Sequence, residues 1–267
     1  VNTNIGSLNA QRSLAESSRE LSTAMERLSS GKKINSAADD AAGFAIAERM
    51  TAQVRGLNMA TKNANDGLAM LATIENATND VTDMLQRIRE LAVQAANDTN
   101  GAQDRTYLQT EVDSLVAEIN RVSTDTVYND SVVLDGNLSG SLQVGTASGQ
   151  TIDFAITSID TTTLGVDALD LSDATNAATA LTAIDSAIET VAGNRAGYGA
   201  LSNRLEYTVS NLMNVAEFTT AARSRIEDAD FAAESARLAK AQVLQQTGTA
   251  MLAQANASSQ LAIQLIR

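Results

Sequence analysis

Between residues 57 and 95 one stripe falls at Leu57, Ala60, Ala64, Gly67, Leu71, Ile74, Thr78, Val81, Leu85, Ile88, Ala92 and Ala95. The alternating three- and four-residue steps never break. Such spacing keeps one face of a helix turned toward a partner helix, and at a rise of about 1.5 Å per residue the helix is on the order of 60 Å long. A second seam, at Leu181, Ile184, Ile188, Val191, Tyr198, Leu205, Val209, Leu212, Ala216 and Ile226, is the expected partner. Shorter stretches repeat the pattern at Leu14, Leu21, Met25 and Leu28, then at Leu108, Val112, Leu115, Ile119 and Val122. A looser one runs from Leu238 to Ile266 and includes Leu244 and Leu252.

Local signals divide these stretches. Residues 2–30 read as a first helix, interrupted at 31–35. Ser36 followed by Asp39 reads as a capping box, with the hydroxyl capping free backbone N–H groups and the carboxylate answering from three residues on, so the next helix is expected to start near Ala37. It either stops near Gly56 or bends there and runs on. Asn97, Asp98, Thr99, Asn100 and Gly101 form a turn, after which residues 104–123 fold back antiparallel.

From Thr126 the period changes to two. Leu142 and Val144, then Ile152, Phe154 and Ile156, alternate about a turn at 146–150, which predicts a β-hairpin over about 140–157. Helix returns from about Asp173 to Ala222, with a joint near 225–230 and a last helix to Ile266. The fold class expected is mainly α: long antiparallel coiled-coil helices from both chain ends forming a rod, with one small β-hairpin region near the middle. The domain expectation is a terminal coiled coil of 1–35 and 227–267, with a helical rod of 36–226.

Composition agrees with long helices. The 267 residues include no proline, where average usage of about 5% gives roughly a dozen, and proline is the residue a helix interior tolerates least. Cysteine, histidine and tryptophan are absent and aromatics make up 3%, so the core must be built from Ala, Leu, Ile, Val and Met. The missing thiols and imidazoles remove the usual soft metal ligands and neutral-pH proton shuttles. Paired acids such as Asp39 and Asp40 serve helices as caps or solvated groups far more often than as catalysts. An enzyme, a metal or another cofactor is not expected.

A net charge of −13 leaves no basic stripe for nucleic acid. It also makes copies of the chain repel one another, so self-association should strengthen with ionic strength. No stretch approaches the roughly 18 uncharged apolar residues of a membrane span. The first fifteen residues lack the basic and apolar regions of a secretory signal peptide.

Three stretches carry a family resemblance. RLSSGKKINSAADDAAGFAIA (27–47) is similar to the amino-terminal signature of bacterial flagellins. QRIRELAVQAANDTN (86–100), and SRIEDADF (224–231) with KAQVLQQTG (240–248) and MLAQAN (251–256), resemble two further flagellin stretches. The resemblance implies a subunit that self-polymerises into the flagellar filament, with terminal helices lining an inner tube and the heptad helices an outer rod. Because the Leu164-Gly-Val stretch runs almost straight into the next helix, it implies a minimal form without variable outer domains. The subunit-packing seam is then expected at Leu14, Leu21, Leu28, Leu57, Leu71, Ile74, Val81, Leu85, Ile88, Leu205, Leu212, Leu244 and Leu252.

The resemblance also implies partners and a location. These are the hook-junction and filament-cap proteins and an export chaperone on residues 233–267. Residues 26–47 match the segment sensed by plant receptor kinases, including Arg27, Ser36, Asp39, Asp40 and Gly43, with departures at Glu26, Ser30, Lys32, Lys33, Ala38, Phe44 and Ala45. Arg87, Leu91 and Glu111 match the surface used by a vertebrate Toll-like receptor. Export is expected through the flagellar type III route, without a cleaved signal peptide, to an extracellular filament. Thr161, Thr162 and Thr163 are candidate glycan carriers. A hook-to-filament junction protein and an unrelated coiled-coil scaffold are the competing readings.

Overall fold

A computed structural model describes the backbone of residues 4–265 and the side chains of residues 4–258. Expectations for Ile266 and the chain ends lie outside the described residues. Contacts divide the chain into a terminal unit, Val1–Val54 with Glu217–Arg267, and a middle unit, Arg55–Ala216.

In the terminal unit, α1 (Ile5–Ser30) and α6 (Phe231–Leu265) pair antiparallel, as shown by Asn4 Nδ2 donating to Ala255 O at 2.9 Å and Arg27 meeting Glu234 at 3.2 Å. The Asn4 side chain accepts from Ser7 N–H to begin α1. Gly31 ends it at φ 72°, its N–H donating to Arg27 O, a left-handed position that glycine takes without a Cβ penalty. The inward stripe of α1 is Ser7, Ala10, Leu14, Ser17, Leu21, Ala24 and Leu28, and that of α6 is Glu234, Leu238, Ala241, Gln245, Gly248, Leu252 and Ala255. Both are heptads built largely from small or polar residues. Met25 departs from the expected stripe of α1, lying beside it and exposed, and Leu244 is likewise exposed beside the stripe of α6.

The segment after α1 is pinned to the end of α5 (Ala174–Glu227). Lys33 N–H donates to Glu227 O, and Ala229 N–H to Gly31 O. The capping expectation is only half right. Asp39 does reach back to Ser36 N–H at 2.9 Å, but helix α2 (Ala41–Ala95) starts four residues later than expected, with Asp40 Oδ1 accepting from Ala42 and Gly43 N–H. Ser36 and Asp39 close a turn before the helix, because Asp40 is the better-placed acceptor. The helix then passes Gly56 as a single element of 55 residues.

In the middle unit all twelve positions of the 57–95 stripe are buried. The opposing stripe on α5 is also an unbroken heptad, but it runs through Ala177, Ala180, Ile184, Ala187, Val191, Asn194, Tyr198, Leu201, Leu205, Thr208 and Leu212. Leu181, Ile188, Val209 and Ala216 are half-buried flanks of that line. Residue size misled the reading here, since alanine at a seam position is hidden more easily than leucine beside it. The helices are antiparallel: Arg89 pairs with Asp185 and Arg195 with Glu75, and a Cβ on Gly67 would lie 3.4 Å from Leu205.

Helix α3 (Ala102–Asp125) folds back along α2, with Arg105 donating to Ala95 O at 2.8 Å and Val112 and Ile119 fully buried. The expected hairpin is β3 (Ser139–Gln143) against β4 (Thr151–Ala155), with Leu142 opposite Ile152. A second ladder, β1 (Val127–Tyr128) with β2 (Ser131–Val132), was not expected. Its turn residues Asn129 and Asp130 both have positive φ, the geometry that suits the twist of a two-residue hairpin. Strands of two residues leave no alternation to detect. Thr161 opens a short helix α4 (Thr161–Leu164) and is buried, unlike the two threonines after it.

Candidate assembly surface

The two units differ in how their helices hold together. In the middle unit Ile74, Leu85, Ile88, Leu91, Ile119, Ile184 and Leu205 are among the largest fully buried side chains. In α1 and α6 the only buried apolar residues among those described are Ala24 and Ala241. Leu14, Leu21, Leu28 and Leu252 remain half-buried. Burial contributes about 25 cal/mol per Å² of apolar surface, so a seam of Ser, Ala and Gly supports little pairing on its own.

The apolar side chains of this pair face outward instead. Ile5 is 68% exposed, Phe231 70% and Met251 64%, and Leu8, Met25, Val243 and Leu244 are also exposed. Gly6, Ala10, Leu244, Gly248, Met251 and Ala255 line much of a groove of about 500 Å³ between the two helices. Gly248 lets α6 approach Leu14 closely, since a Cβ there would lie 3.4 Å from it. Unpartnered apolar surface on this scale marks an interaction site.

The middle unit has its own exposed groups. Arg87 donates from Nε to Glu111 at 2.9 Å and from Nη1 to Glu90 at 2.9 Å, and these carboxylates raise the affinity of its guanidinium for its proton. Leu91, expected on the same surface, is instead fully buried in the core. The 27–47 segment is also engaged internally. Arg27 reaches Glu234, Asp39 and Asp40 bind backbone N–H groups, and a Cβ on Gly43 would come within 2.7 Å of Ile34 Cδ1, so that side chain would have to move. Hydrogen bonds from Ser36 and Asn35 N–H hold the Asp39 carboxyl below the usual carboxylate range.

Charge separates the units too. The middle unit contains eight basic and 21 acidic residues, the terminal unit eleven of each, so the whole net charge of −13 resides in the middle unit. Among the described residues no cluster of three or more acidic side chains is placed to hold a metal ion, and no helix is long and apolar enough to cross a membrane.

Comparison with known proteins agrees with this geometry. Residues 1–139 match the bacterial flagellin N-terminal helical region and residues 181–266 the bacterial flagellin C-terminal helical region. A flagellin of Halalkalibacterium halodurans is 43% identical over 270 residues, covering 100% of this chain and 99% of that protein. Flagellin FlaB1 of Treponema pallidum is 38% identical over 284 residues with the same coverage of each. A crystal structure of Bacillus cereus flagellin superposes with a TM-score of 0.53 at 30% identity, covering 57% of this chain and 88% of that one.

Proposed function

The chain belongs to the bacterial flagellin family and is a structural subunit of the extracellular flagellar filament, and from that premise we propose that its terminal helices are completed only by assembly. The observation that carries this reading is the absence of any buried Leu, Ile, Val or Phe in α1 or α6 among the described residues. Ordering a residue costs roughly 1–2 kcal/mol, and the exposed apolar flanks of these helices supply the missing burial once neighbouring copies cover them. Because copies contact through two different surfaces, the polymer grows open-ended rather than closing. The middle units repel one another through their acidic excess, so salt accelerates growth.

In this reading residues 1–35 and 227–267 form the inner tube and residues 36–226 the rod. The seam side chains of the two units have different tasks: those of the rod stabilise the subunit, and those of α1 and α6 stabilise the polymer. The chain travels by the flagellar type III route without a cleaved signal peptide. A chaperone holds residues 233–267 by laying the amphipathic helix in a groove, and the hook-junction and filament-cap proteins meet the polymer at its ends. The subunit has no catalytic activity of its own.

Host recognition of the monomer rests on Arg87 and Glu111, whose exposed ion pair is accessible, with Leu91 fixing the helix beneath them, and on the 27–47 segment. Charge reversal at Arg87 abolishes receptor activation on this reading; unchanged activation would remove it. For assembly, far-ultraviolet circular dichroism and electron microscopy of purified protein seeded with sheared polymer test the central claim. Long filaments with a rise in helix content are expected. A monomer as helical as the polymer refutes completion by assembly, and short rings favour a junction protein.

A further inference from the structure

In the connection between α2 and α3, Asn100 is followed by Gly101, and no other asparagine of the chain precedes a glycine. The side-chain carbonyl carbon of an asparagine can be attacked by the main-chain nitrogen of the next residue, and glycine, having no Cβ, leaves that approach open. Most other asparagines lie in helices, where the next N–H is tied to the carbonyl four residues back. Asn100 lies outside both helices, and Gly101 N–H donates to the Asp104 carboxylate at 3.1 Å rather than to a main-chain carbonyl.

The backbone does not require glycine at this position. Its φ of −73° is open to any residue, and a Cβ would meet only Asp104 Oδ2, at an ordinary 3.5 Å. Asn100, by contrast, serves the end of α2. Its Nδ2 donates to Gln94 O, while Arg105 donates to Ala95 O at 2.8 Å and to Asn97 O at 3.2 Å. Gln94 and Ala95 belong to the last turn of the helix, whose carbonyls have no intrahelical partners.

We propose that Asn100 is a site of spontaneous deamidation and that Asp104 is a positioning residue that slows it. Gly101 N gives its proton to hydroxide and attacks Asn100 Cγ. The N–Cγ bond forms, the Cγ–Nδ2 bond breaks, and Nδ2 leaves as ammonia with a proton taken from water, which regenerates the hydroxide. Water then opens the five-membered imide at either carbonyl, giving aspartate or isoaspartate. The electron pair left by the departing proton lies along the former N–H direction, toward Asp104 Oδ2, so attack on Asn100 Cγ waits for that bond to open. The product has a carboxylate where the Nδ2 donor stood. It cannot donate to Gln94 O, and its charge lies at the negative end of the α2 dipole, so the reaction uncaps the helix. None of these steps depends on the filament.

Full-length protein incubated at mildly alkaline pH and digested with trypsin at intervals tests this. The peptide of residues 90–105, bounded by Arg89 and Arg105, is followed by tandem mass spectrometry for the one-unit mass gain of an amide becoming an acid. Asn97, in the same peptide but followed by Asp98, is the internal reference. Asn100 is expected to convert at least about tenfold faster than Asn97, and Gly101→Ala to remove most of that difference. Asp104→Ala speeds the conversion severalfold, whereas Asp104→Glu, which keeps a carboxylate three residues after the cap, returns it toward the wild-type rate. Conversion of Asn100 no faster than that of Asn97, or unchanged by Gly101→Ala, overturns the site. Equal rates in wild type and Asp104→Ala overturn the role of Asp104. In Asn100→Asp the amides of residues 92–97 exchange hydrogen severalfold faster than in wild type, and unchanged exchange overturns the uncapping.

Discussion

Replacing Asn194 by leucine should stabilise the subunit. Asn194 occupies a seam position of α5 between Val191 and Tyr198, and its Nδ2 is buried without a hydrogen-bond partner. The antiparallel register that sets Gly67 against Leu205 puts Asn194 level with Thr78, which is fully buried and donates its own hydroxyl to Glu75 O at 3.0 Å. The substitution removes an unsatisfied donor, worth about 1–3 kcal/mol, and adds about 0.4 kcal/mol of helix propensity. A net gain of about 2 kcal/mol follows once some repacking against Thr78 is allowed. For a chain of this size that corresponds to a rise in Tm of roughly 4–8 °C, read by calorimetry on the full-length monomer. An unchanged or lower Tm would refute the reasoning, by showing that Asn194 is satisfied in solution. A single polar residue in a coiled-coil seam commonly fixes register at a cost in stability. Leucine at 194 should therefore also broaden the population of α2–α5 registers, visible as doubled crosslinks between cysteines introduced at positions 75 and 195.

Other outcomes follow from the same structure. Leu85→Ala empties a fully buried seam position and should cost about 3 kcal/mol in urea unfolding, whereas Leu244→Ala, at an exposed site, should leave monomer stability within about 0.5 kcal/mol and slow polymerisation. Tyr198→Phe removes the hydroxyl that accepts from Thr157 N–H at 3.2 Å and should lower stability by about 1 kcal/mol. Burial raises the affinity of this phenol for its proton, so it should ionise at higher pH than the exposed tyrosines in ultraviolet titration. Asp39 has a folded-state pKa depressed by the N–H groups of Ser36 and Asn35. Its contribution to the 31–40 turn is present above the ordinary carboxylate value of 3.8 and is lost as pH falls through the lowered folded value. Asp39→Asn should therefore flatten the acid limb of the stability profile.

Strict period and missing proline made α2 legible from Leu57 to its last turn, because Leu57, Leu71, Ile74, Val81, Leu85 and Ile88 are large apolar residues that mark its line. The α5 seam shows where that logic weakens. Leu181 and Ile188 outrank Ala180 and Ala187 in hydrophobicity, yet the heptad line defined by Ile184, Val191, Tyr198 and Leu205 passes through the alanines, so phase across many turns decides and local hydrophobicity does not. In α6 Ala241, Gln245 and Gly248 continue the line set by Glu234 and Leu238, and Leu244, expected in the subunit-packing seam, lies on the exposed flank. In a stable two-helix pair that would be a poor seam. In a subunit whose terminal helices must remain unfinished until neighbours arrive, placing leucine, valine and methionine on the outer flank and small residues between the helices divides the burial in two: a weak part within the chain and a stronger part between chains. Assembly then gains free energy from the very contacts the monomer lacks, which ties the cooperativity of growth to the low hydrophobicity of the terminal seam.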